Sequence, residues 1–66
     1  MLIKYYLEPT QEQLDEIDAN FYEYNLDDQV WYEEANTIIV TENPLTCKDI
    51  EAILEAADVE YRKEEA

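Results

Sequence analysis

QVWYEEANTIIVT, residues 29–41, holds two strand-forming runs on either side of one short polar pair. Thr37 to Thr41 is β-branched throughout, the side-chain type that packs best on a pleated surface. Gln29 to Glu34 alternates, with Val30 and Tyr32 on one face and Trp31 and Glu33 on the other. Between the runs, Ala35-Asn36 predicts a two-residue turn, because asparagine tolerates the positive φ that a tight hairpin demands. The chain has no glycine to put there.

Outward from this hairpin, Asn43-Pro44 breaks the second strand. Thr46 and Asp49 then have the spacing of a capping box. The helix they open carries Cys47, Ile50, Ile53, Leu54 and Ala57 on one stripe, with Glu51, Glu55 and Asp58 on another. Val59 to Arg62 is a candidate last strand, and Lys63 to Ala66 a frayed tail. On the N-terminal side, Leu2 to Leu7 alternates as a strand that places Ile3, Tyr5 and Leu7 on one face and Leu2, Lys4 and Tyr6 on the other. Glu8-Pro9 ends it. Thr10 and Gln13 form a capping box for a helix whose stripe is Leu14, Ile17, Phe21 and Tyr24, with Asn25 as the stop. Leu26-Asp27-Asp28 is a short acidic connection back to the hairpin. The order βαββα(β) is that of an α+β, ferredoxin-like fold, a small antiparallel sheet with two helices on one face. Without the last strand it is a three-stranded βαββα sheet.

At 66 residues the chain is expected to form a single compact acidic domain, which buries only about 60% of its unfolded surface. Its 47% hydrophobic content, with six Tyr, one Trp and one Phe, is enough for a core and argues against disorder. Eighteen acidic residues against four basic ones give a net charge of −14. Self-repulsion on that scale costs stability. It sets aside direct nucleic-acid binding and attachment to anionic membranes, since both present negative charge. There is no His and no Ser, so the usual general base near neutral pH is missing. Cys47 is alone, which leaves no intrachain disulfide and fits a reducing, cytoplasmic setting. On the apolar stripe it reads as a small buried hydrophobe. Apolar runs reach three residues, too short to span a bilayer, and no signal peptide is visible.

Two constellations stand out. The first is an acidic array: Glu12, Asp15, Glu16 and Glu23 on the first helix, continued by Asp27, Asp28, Glu33 and Glu34. Carboxylates four residues apart on a helix are separated by about 6 Å along the axis, and seven apart by about 10.5 Å. The latter is near three base-pair steps of roughly 3.4 Å each. A rigid row of this kind stands in for phosphates, although most acidic helix faces are simply solvated. The second is aromatic. Tyr6 and Trp31 fall opposite the expected core, either as binding anchors on an open sheet face or as part of a second small core or dimer interface. Asp27-Asp28 and Glu33-Glu34 suit a hard cation chemically, but no EF-hand spacing is present. No metal, cofactor or catalytic residue is therefore expected.

With its small size, −14 charge, acidic Glu12–Glu23 helix and the Val30-Trp31-Tyr32-Glu33-Glu34 run, the chain resembles the small acidic inhibitors encoded by bacteriophages and other mobile elements. These include anti-CRISPR proteins, anti-restriction DNA mimics and inhibitors of uracil-DNA glycosylase. The resemblance is one of style over the whole chain, without a diagnostic motif. It implies a non-enzymatic protein acting in a host cytoplasm, whose partner is a basic nucleic-acid-binding protein such as a nuclease or CRISPR effector. The rival expectation is an adaptor or homodimer built on the open aromatic sheet face. A third is a protein whose acidity serves solubility alone.

Overall fold

In a computed structural model that describes Met1 to Glu65, the elements are β1 (Ile3–Leu7), α1 (Gln11–Glu23), β2 (Val30–Glu33), β3 (Ile38–Thr41), a 3₁₀ turn (Pro44–Thr46), α2 (Cys47–Ala56) and β4 (Tyr61–Glu65). The sheet order is β2-β3-β1-β4 and every pairing is antiparallel. Each βαβ unit is thus split by a third strand lying between its two strands, which is the ferredoxin-like arrangement read from the sequence.

Both helices lie on one side of the sheet. Ile3, Tyr5, Leu7, Val30 and Ile39 face them and join Ile17, Phe21, Leu26, Ile50, Ile53 and Leu54 in one buried cluster. The α2 stripe is buried from Cys47 to Ala57, as its spacing requires. Tyr24 departs from the expected α1 stripe. The helix stops at Glu23, and Tyr24, as its C-cap, turns out to solvent.

The helix ends show how a glycine-free chain manages left-handed backbone. Asn25 (φ 59°) and Asp58 (φ 60°) each occupy the position just past a helix. At α1, Leu26 N–H donates to Phe21 O and Asn25 N–H to Tyr22 O. At α2, Val59 N–H donates to Leu54 O and Asp58 N–H to Glu55 O. Both are Schellman motifs, closed by a buried apolar residue, Leu26 or Val59. The hairpin turns where expected, but over four residues, 34–37, rather than two: the last strand pair is Glu33 with Ile38, and Glu34 too is left-handed at φ 51°. Ala35 and Asn36 have φ of 56° and 67°, and Thr37 N–H donates to Glu34 O at 3.2 Å.

Two further expectations are corrected. Thr46 does not cap α2 with its side chain. Its hydroxyl donates to Asn43 O (2.8 Å), while the Asn43 side chain accepts from Leu45 N–H and caps the 3₁₀ turn instead. Nor is the tail from Lys63 onward frayed: the last strand, expected over Val59 to Arg62, instead runs from Tyr61 to Glu65 and pairs along the whole of β1. That strand is nearly all charged and exposed. What holds it is backbone bonding to β1 and the side chains it lays across Tyr5 and Tyr6. Ala66 lies outside the described residues.

Candidate partner-binding surface

The helix-free face of the sheet is built from two cross-strand rows. The first runs Trp31, Val40, Lys4, Glu64 and the second Glu33, Ile38, Tyr6, Arg62. Val40 and Ile38 are buried here without any helix above them. The long side chains on either side cover them. Lys4 Nζ meets Glu33 at 3.3 Å, and the Trp31 indole N–H donates to the same carboxylate at 3.1 Å. These two contacts, the indole bond first, hold the Glu33 carboxyl below its usual range. Arg62 lies over the Tyr6 ring at 4.4 Å, and its guanidinium and the Tyr6 hydroxyl both reach Glu64. The face is therefore not a bare aromatic platform. Its two cations and two anions balance.

The third ion pair sits on the other side of the sheet. Lys63 reaches Glu51 of α2 at 3.0 Å, and the buried Tyr5 hydroxyl donates to that same carboxylate at 2.7 Å. Three of the four cations are thus engaged within the protein. Of the eighteen acids, only Glu33, Glu51 and Glu64 have an ion-pair partner, leaving fifteen without one among the described residues. No acid is buried. Helix α1 carries five acids and no cation.

The residues singled out in the sequence separate into groups. Glu12, Asp15 and Glu16 are exposed on the N-terminal half of α1. Glu34 is exposed in the hairpin turn at that same end of the molecule. Glu33 and Tyr6 are half-buried in the balanced sheet face. Glu23, Asp27, Asp28 and Trp31 gather toward the opposite end, where α1 finishes and β2 begins. The α1 acids and the Tyr6–Trp31 face lie on opposite sides of the sheet, so they do not form one continuous array.

Exposed apolar surface is distributed just as unevenly. The large exposed apolar side chains are Met1, Leu2, Tyr22, Tyr24, Trp31 and Leu45. Strand direction puts all six toward the end that holds the start of β1, the finish of α1, the start of β2 and the 3₁₀ turn. Tyr22 is 75% exposed, Tyr24 54%, Trp31 39% and Leu45 84%. A shallow hollow of about 370 Å³ there is lined by Asp28, Gln29, Trp31, Glu42, Asn43 and Pro44. Sequence reading missed Tyr22, Leu45 and Glu42. Their signal was weak, because one exposed Leu or Tyr means little until the fold gathers several.

A larger open groove, about 890 Å³, lies at the other end and includes Glu8, Glu34, Asp58, Glu60 and Arg62 in its lining. Among the described residues, no three acids or thiols converge in a metal-holding group, and no helix is long and apolar enough to cross a membrane. No protein-family model matches the chain, and no curated protein or solved structure gives a significant match to it.

Proposed function

We propose that the protein is a non-enzymatic acidic inhibitor that occupies the phosphate-binding surface of a nucleic-acid-binding protein, of the nuclease or CRISPR-effector kind. One observation supports this reading above all. Three of the four cations are engaged in ion pairs within the protein, while fifteen exposed carboxylates on a compact α+β scaffold carry no ion-pair partner. A chain that needed acidity only for solubility has no reason to pair three of its four positive charges internally. A groove lined by Lys and Arg meets in this molecule a fixed polyanion without bases, and carboxylate–guanidinium pairs, bidentate where geometry permits, set the fit. Long-range attraction speeds encounter and weakens with salt.

The test is displacement of duplex DNA from a panel of purified nucleases and CRISPR effectors. For a true target, displacement is expected near one-to-one stoichiometry in low salt and is largely lost by about 0.5 M salt, where charges are screened within a few ångströms. Converting Glu12, Asp15, Glu16, Glu23, Asp27 and Asp28 together to amides should abolish it. Failure to displace DNA from any member, or displacement by the amide variant as strong as by the parent, removes the proposal.

A further inference from the structure

Helix α1 ends in an arrangement that works against its own stability. The C-terminus of a helix carries a partial negative charge from its unpaired carbonyls. Cations are favoured there and acids are not. Yet α1 has no basic residue in its last turn. Its final residue is Glu23, and Asp27 and Asp28 follow within one short connection. Glu42 joins them from the far side of the Trp31 hollow. Nothing in the protein neutralises these four carboxylates among the described residues.

The most exposed aromatic and aliphatic side chains lie at this same end. Tyr22 and Tyr24 bracket Glu23, and Leu45 projects from the 3₁₀ turn. Exposed apolar groups disfavour water, and unpaired acids at a helix C-terminus disfavour one another. Both penalties are relieved at once by a ligand that is cationic and flat. A guanidinium group fits that description. It stacks on aromatic faces and pairs two-pronged with carboxylates, whereas an ammonium does only the second, as a point charge. The protein already contains one such unit, with Arg62 over the Tyr6 ring at 4.4 Å and its guanidinium 3.4 Å from Glu64.

We infer that the end formed by the α1 C-terminus, the Asn25–Gln29 connection and the 3₁₀ turn is the contact surface, and that its partner presents arginines rather than lysines. The inference rests on the charge-based function proposed above and specifies both the face and the cation. Glu12, Asp15 and Glu16, at the far end of α1, then contribute attraction at a distance and no contact.

The test uses the full ¹⁵N-labelled chain, with nona-arginine and nona-lysine peptides as probes in low salt. Nona-arginine should bind about fivefold tighter or better, the upper end of one solvent-exposed cation–π contact. Amide shift changes should concentrate at residues 22–31 and 42–46. The Tyr22→Ser/Tyr24→Ser/Leu45→Ser variant alters only exposed side chains, so its amide spectrum should retain the native dispersion. It should lose most of the preference for nona-arginine, leaving only what the exposed Trp31 ring supplies. Equal affinity of the parent for both peptides, or shift changes spread over the first half of α1 and over α2, overturns the inference and leaves the charge-based function standing. Binding of neither peptide in low salt removes both.

Discussion

Tyr5 is the side chain on which the protein's chemistry is most concentrated. It is fully buried, stacked edge-on against Tyr61 at 5.5 Å, and its hydroxyl donates to Glu51. Burial first, and then Cys47 and Glu51 beside it, pushes the Tyr5 phenol far above its ordinary pKa. Tyr32 is raised in the same direction, by burial and then by Asp18. In the unfolded chain these phenols ionise near pH 10. The folded chain therefore holds their protons more tightly, and the stability these two phenols contribute is complete below about pH 10 and falls as pH rises beyond it. Glu51 has the opposite sign. The Tyr5 hydrogen bond, then Lys63, lowers its pKa, so its contribution is present above the ordinary carboxylate range and is lost as pH falls through the lowered value. Tyr5→Phe should cost about 1.5 kcal/mol at pH 7, the scale of one hydrogen bond to a charged group. It should also flatten the loss of stability above pH 10. Urea denaturation from pH 7 to pH 11 reads both effects. A variant with an unchanged alkaline slope would show that Tyr5 does not set it.

At the scale of elements, the turns and helix ends carry the strain. Ala35 sits at φ 56° with a Cβ, a conformation that costs a non-glycine residue roughly 1–2 kcal/mol. Glycine removes that cost but loses about 0.5–1 kcal/mol more chain entropy on folding. Ala35→Gly should therefore gain about 0.5–1 kcal/mol and raise Tm by several degrees. Ala35→Val should lower it. Equal Tm values for all three chains in calorimetry would mean the turn is not strained. The same elements show what was legible in the sequence. Alternation at Ile3, Tyr5 and Leu7, and the three-four spacing from Cys47 to Ala57, were readable because burial writes a period into the chain. β4 was only partly so: a last strand was expected over Val59 to Arg62, but it runs from Tyr61 to Glu65, held by backbone bonds to β1 and by side-chain contacts to Tyr5 and Tyr6, 56 to 58 positions away. Thr46 carried a capping signal, but the buried position it occupies beside Thr41 captured its hydroxyl first. The aromatic end of the candidate surface was only half visible. Trp31 showed its face by alternation, whereas Tyr24 looked like core because nothing in a periodic stripe marks the residue at which the helix stops.

For the whole molecule, the dominant quantity is charge confined to a small body. The principal extents are 30 × 22 × 19 Å. At 0.01 M salt the screening length is about 30 Å, so every carboxylate acts on every other across the full molecule. At 1 M it is about 3 Å, shorter than the roughly 6 Å between acids one helical turn apart. Folding gathers the charges and unfolding disperses them, so repulsion lowers stability most when salt is scarce. Raising NaCl from about 0.01 to 1 M should increase stability by 1 kcal/mol or more, or at least 4–8 °C in Tm for a domain of this size. Affinity for a cationic partner must move the other way, because the same screening removes the attraction. The two measurements on one preparation therefore carry opposite signs. A Tm that stays flat with salt would mean that the carboxylates scarcely interact in the folded chain. An affinity that does not fall would mean that binding is carried by the exposed aromatic side chains, without the acids.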